Sequence, residues 1–180
     1  MGWLFYEKPK NVKAHMDGLF TFTHQDTGAC VRVLDSAIVH LHEYYAAVES
    51  ISDSEPRTVT AVICLLEYRL KDPDGFTFGY KDMDEAMGPN AIRCPERILK
   101  LLTMPENDWA KNWRVRCQAY RIACRSADLM PEGTRVRMAH NDREYTKVKH
   151  AKRKHVFRDV ETGQLYRFRQ ESVISATIVN

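Results

Sequence analysis

DPDGFTFGYKDMDEAMGPNAIRCPERIL, residues 72–99, decides how the chain is read. Asp72, Pro73, Asp74 and Gly75 make a turn: proline presets φ, the aspartates bond nearby backbone, and glycine accepts positive φ. Phe76, Phe78 and Tyr80 then alternate as a half-buried strand does. Beyond Tyr80 the alternation breaks, and Lys81, Asp82, Asp84 and Glu85 crowd into five residues. Gly88-Pro89 stops the local turn they form, and Pro95 opens a helix, where its missing N–H costs nothing. The stretch therefore reads as an acidic, non-repetitive segment between a strand end and a helix start, where open sites are often built.

Working back from this stretch, residues 58–70 and 44–48 read as two further strands, linked by turn residues over 52–57. With 76–80 they predict a three-strand antiparallel meander that delivers the acidic segment. Residues 29–39 fit either a short helix or a strand and turn. Earlier still, Asp26, Thr27 and Gly28 form a turn, and Leu19, Phe20 and Phe22 a β-prone piece. Pro9 opens a helix over 9–17 that Gly18 stops. Trp3, Leu4, Phe5 and Tyr6 make an apolar start, a strand or an anchor on the core.

Working forward, a helix runs from Pro95 to about Thr103, burying Ile98, Leu99 and Leu102. Met104-Pro105 breaks the chain, and Asn107 or Asp108 caps a second helix that reaches about Arg125. Trp109, Trp113, Cys117, Tyr120 and Cys124 recur at helical spacing on it and are expected to face the core. Lys111, Arg114, Gln118, Arg121 and Arg125 form another stripe, which is either a solvated face or a track for phosphates. Residues 129–133 mark a domain boundary. Beyond it five short β-patterned runs follow, at 134–139, 145–150, 155–160, 165–170 and 173–179, with a hairpin loop at 161–164 whose Gly163 suits positive φ. The expected fold is α+β: a domain over 1–128 with the meander and two to three helices, then a small basic β-domain over 129–180. Its five strands suggest a barrel-like sheet similar to Src-homology or Tudor-like barrels.

At 180 residues with 44% hydrophobic and 28% charged residues, the chain has the composition of a soluble globular protein. No secretory signal and no run of 18 apolar residues occurs, so no membrane association is expected. The five cysteines, at 30, 64, 94, 117 and 124, are never spaced CxxC and read as reduced core thiols of a cytoplasmic protein. Net charge is +3, but residues 131–180 hold 11 Lys and Arg against 6 Asp and Glu, which suits an anionic partner.

The β-patterned region separates its charges by face. Arg135 and Arg137 oppose Val136 and Met138, and Arg167 and Arg169 oppose Tyr166 and Phe168. Between them lies the run KVKHAKRKH, residues 147–155, with Lys147, Lys149, Lys152, Arg153 and Lys154, two histidines and no acid. A basic loop joined to basic strand faces follows a phosphate backbone without reading bases. RNA is expected before DNA. Asp82, Asp84 and Glu85 are the candidate catalytic set, able to hold Mg²⁺ or Mn²⁺ for phosphodiester hydrolysis with Lys81 or Tyr80 stabilising charge. An exposed turn with an i,i+4 Lys81–Glu85 pair is the competing account. His40 and His42, two apart, would share one face of a strand. No Gly-rich phosphate loop, nucleophile elbow or HExxH is present, and outside the nuclease reading no cofactor or metal is expected.

The motifs 79–85 (GYKDMDE), Met87-Gly88-Pro89 and Cys94-Pro95 resemble a signature of small proteins carried on bacterial plasmids, conjugative elements and phages. Those proteins commonly open with MGWLF, as residues 1–5 do, and place a Trp-Arg helix after the Cys-Pro, here Trp113-Arg114. The resemblance covers roughly residues 1–125 and implies a genetic setting more than a reaction. Some proteins of such elements are counter-defence factors, including inhibitors of type II CRISPR nucleases. The implied function is a non-enzymatic, cytoplasmic counter-defence protein that engages nucleic acid, or a CRISPR nuclease–guide RNA complex, through its basic surface. Two alternatives stand beside it. One is a metal-dependent ribonuclease that trims guide RNA; the other is a protein-binding inhibitor that uses an acidic N-terminal domain.

Overall fold

A computed structural model describes residues 4–26, 28–52, 56–71 and 75–179. The 72–74 part of the turn, residues 1–3 of the apolar start, Thr27, and residues 53–55 of the linker lie outside them. By contacts the chain divides into two units, 1–118 and 119–180.

The first unit begins with β1 (Leu4–Glu7) and α1 (Val12–Leu19), then β2 (Phe22–Thr23), β3 (Cys30–Val39), β4 (Glu43–Ile51), β5 (Thr58–Lys71) and β6 (Gly75–Asp84). The strands form one antiparallel sheet in the order β1-β6-β5-β4-β3-β2, so the fold is α+β around a meander whose first strand closes back onto its last. Leu4 pairs with Tyr80 and Glu7 with Thr77. The ambiguous 29–39 run is a strand with a bulge between Val33 and Asp35.

Both faces of this sheet are apolar because β4 and β5 carry hydrophobic side chains at almost every position, as strands covered on both sides do. Tyr44, Ala46, Val48, Cys64, Leu66, Phe78 and Tyr80 cluster on one face with Met16 of α1. Tyr45, Ala47, Val59, Ala61 and Ile63 cluster on the other. That second face is covered by α2 (Glu96–Leu99) and by α3 (Asp108–Asp128), which contribute Ile98, Trp113 and Cys117. Each large side chain so buried contributes about 1.5–3 kcal/mol.

Two local expectations change, and a third, the cap of α3, is narrowed to one of its two candidates. The first helix starts at Asn11, whose side chain accepts from Ala14 N, and Gly18 lies inside it rather than at its end. A side-chain acceptor at the N-cap outweighs the mere tolerance of Pro9 for a helix start. The α3 cap is Asn107, which accepts from Ala110 N, and the helix runs to Asp128. Trp109 is 66% exposed rather than in the core; its ring lies against Gly88, whose φ is +62° and where a Cβ would sit 3.1 Å from it.

The second unit takes the end of α3 and adds β7 (Arg135–Arg137), β8 (Glu144–Lys147), β9 (Val156–Asp159), β10 (Leu165–Arg167), α4 (Gln170–Ile174) and β11 (Thr177–Val179). Its five strands form an antiparallel sheet in the order β10-β9-β8-β7-β11, so the last strand returns beside the first. The expected strand over 173–179 is split: Val173 lies in the one-turn α4 and is buried with Ala127, Val136, Met138, Tyr145 and Phe157. The β9–β10 hairpin closes through Asp159, whose carboxylate accepts from the N–H groups of Glu161 and Thr162, and through Gly163 at φ +71°.

Candidate nucleic-acid interface

The 79–95 stretch is a clamp inside the first unit, not an open site. β6 continues through Lys81, Asp82 and Met83 to Asp84, whose side chain then caps the 3-10 turn Glu85–Met87. Glu85 is 2% exposed and is gripped by Arg114, with Nε to Oε2 at 2.5 Å and Nη2 to Oε1 at 2.6 Å. Arg116 Nη2 donates to the carbonyls of Gly88 and Pro89. Trp113 Nε1 donates to Ala91 O at 2.8 Å, and Arg93 Nη1 donates to Glu43 at 2.9 Å while its N–H donates to Tyr45 OH. Cys94 is buried, and Pro95 is the N-cap of α2. The motif residues thus tie the end of the sheet to the helices that cover it.

This geometry separates the candidate catalytic acids. Asp82 pairs with Cys64 and Asp84 with Val62, on the Tyr80 face of the sheet. Glu85 takes its place on the opposite side, packed toward Ala61 N and Arg114. Strand alternation sends neighbours to opposite faces, so three acids close in sequence do not converge. Lys81 and Glu85 make no helical pair, because Lys81 is in the strand. Among the described residues no group of three His, Cys, Asp or Glu side chains is placed to hold a metal ion. His40 and His42 belong to the β3–β4 turn, where His40 and Leu41 have φ of 51° and 65°; they do not share a strand face.

The basic stripe of α3 is also altered. Arg114 is committed to Glu85 and to Thr103 O, so it is not a phosphate contact. Lys111 is exposed at the helix start, and Arg121 and Arg125 have partners of their own.

In the second unit the structure sorts the cations into two sets. Arg135 and Arg137 both donate to Glu144, whose carboxyl their hydrogen bonds, that from Arg137 foremost, hold below the usual carboxylate range. Lys154 pairs with Asp128 at 2.9 Å, and the buried His155 meets the same carboxylate at 3.1 Å. Lys147 turns inward over the Phe157 ring, 5.0 Å from its centroid, and burial pulls its ammonium below the ordinary lysine range. Arg143 faces the buried Asp159 at 3.7 Å. Lys149, Lys152, Arg153, Arg158, Arg167 and Arg169 form the other set: exposed, with no carboxylate partner among the described residues.

The sequence missed Arg158, which alternates outward between the buried Phe157 and Asp159, a pattern visible in the 156–159 run once its register is known. It also gave no sign that Glu144 neutralises two of the chosen arginines, since cross-strand neighbours depend on register. Among the described residues no helix is long and apolar enough to cross a membrane. No protein-family model, curated protein or solved structure matches the chain.

Proposed function

We propose that the protein is a non-enzymatic nucleic-acid-binding factor, for RNA before DNA, that serves a mobile element in counter-defence. The observation that carries the binding is the set of six exposed cations with no carboxylate partner among the described residues, in a unit with 13 Lys and Arg against 7 Asp and Glu. Cations already paired to carboxylates gain little from a phosphate, whereas unpaired ones release counterions on contact. Such contacts hold a strand in place without reading its sequence, which suits a factor that masks a guide RNA or its complex. The counter-defence role rests on the resemblance of residues 79–95 to mobile-element proteins.

Three acids of the first unit are engaged internally, by Arg32 at Glu49, Arg93 at Glu43 and Arg114 at Glu85, which takes them out of any nucleic-acid-mimicking surface there. The nuclease reading loses its convergent acids. The test is anisotropy with a labelled single-stranded RNA 20-mer and its DNA equivalent, comparing the full chain with Lys149→Glu/Lys152→Glu/Arg153→Glu. The variant is expected to keep its melting temperature and lose at least tenfold in affinity. Wild-type protein that binds neither strand, or a variant that binds as well, overturns the proposal.

A further inference from the structure

Beside α4 in the second unit lies a wide, open cleft of about 580 Å³. Arg167 and Arg169, both exposed and without a carboxylate partner among the described residues, line it together with Phe168, His140, Ser172 and Ser175. Glu171 is the one acid on its wall, and it has a partner already. Phe168 is half-buried and rigidly held: Tyr145, Phe157 and Tyr166 surround its ring at 4.9, 5.7 and 6.1 Å between centroids. The exposed His140 ring leans on it at 5.9 Å and 60°. Arginines immediately before and after an anchored aromatic in the chain, all lining one cleft with a second aromatic ring, bring phosphate-binding and base-stacking chemistry into one place. Phe168 packs on the core of the unit, whereas Arg167, Arg169 and His140 are exposed and take no part in that core.

We propose that this cleft takes one unpaired nucleotide of a bound strand, its phosphate on Arg167 and Arg169 and its base against His140 and Phe168. The proposal rests on the nucleic-acid reading above and adds to it a requirement for single strands. A duplex keeps its bases stacked on each other and offers the cleft only phosphate, whereas a single strand can turn a base out.

The experiment uses the full chain with a labelled single-stranded RNA 12-mer and the matching duplex. A second 12-mer carries 2-aminopurine, whose fluorescence falls when the base stacks. The single strand is expected to bind at least tenfold tighter than the duplex. Arg167→Ala/Arg169→Ala should lower single-strand affinity tenfold or more. His140→Ala should lower it about fivefold or more, leave duplex binding unchanged and abolish the fluorescence loss, and His140→Phe should restore it. His140 is exposed, so these variants should melt with the wild type, and a melting curve checks this. Equal affinity for duplex and single strand, or quenching that persists in His140→Ala, overturns the cleft. If Lys149→Glu/Lys152→Glu/Arg153→Glu still weakens binding in that case, the broader reading survives without it; if no strand binds at all, both fall.

Discussion

Arg114 holds a carboxylate that has almost no access to water, so the pair contributes by what happens when it is broken. Arg114→Ala leaves Glu85 with a single N–H donor, from Ala61 at 3.3 Å. Removing one partner of such a buried pair costs about 3–5 kcal/mol. Urea unfolding should show a loss of that order, with Arg114→Lys recovering only part because it cannot make the two-pronged contact; a loss near zero would refute the clamp. At His155, burial first and the Lys147 ammonium second hold the imidazole below its ordinary range, against the pull of Asp128, with Lys154 adding to the depression. A depressed value means the unfolded chain binds more protons, so the stabilisation is complete above about pH 6.5 and is lost as pH falls through the folded value. His155 has φ of +56°, a conformation asparagine tolerates. The drop in melting temperature between pH 7.5 and 5.5 should therefore shrink in His155→Asn, and an unchanged drop would count against this account.

Among the elements, the β7–β8 hairpin holds Arg135 and Arg137 on Glu144, with Asp142 3.8 Å from Arg137 as a second acid. Glu144→Gln/Asp142→Asn should free Arg135 and Arg137 and raise RNA affinity threefold or more, read by anisotropy; weaker or equal binding would show that this face does not meet the strand. The same hairpin shows what could be read from the sequence. Its alternation placed Val136 and Met138 inside and both arginines outside, because side-chain direction along a strand is local information. Which carboxylate faces them depends on register, which is set by pairing with another strand. Likewise β4 and β5 announced themselves by β-branched and aromatic residues, whereas the end of β6 did not, because Asp82 and Asp84 are poor strand formers held there by pairing with Val62 and Cys64. The misreading of the acidic segment as an open site follows from that. Its real partner, Arg114, lies 29 residues on, beyond any local signal. The cleft beside α4 joins His140 to residues 167–175 and was equally invisible.

At the scale of the whole molecule the charge is unevenly shared, and its effect should appear in salt. Six phosphate contacts on a single strand predict a slope of log K against log salt of about −4, or roughly a three-hundredfold loss between 50 and 200 mM. The Lys149→Glu/Lys152→Glu/Arg153→Glu protein should be shallower by about 2. A flat response in the wild type would mean that whatever it binds is not held by phosphates.

The clamp also has a consequence in time. Glu85 is synthesised 29 residues ahead of Arg114, and Trp113 and Cys117 follow the last strand of the first sheet by a similar stretch. At about 5–20 residues per second, roughly 1.5–6 s pass on the ribosome between the carboxylate and its guanidinium. During that interval the residues of all six strands have been synthesised while the helix that covers Tyr45, Ala47 and Ile63 has yet to be completed. Until α3 emerges, the apolar residues of β4 and β5 lack the cover that they have in the finished protein.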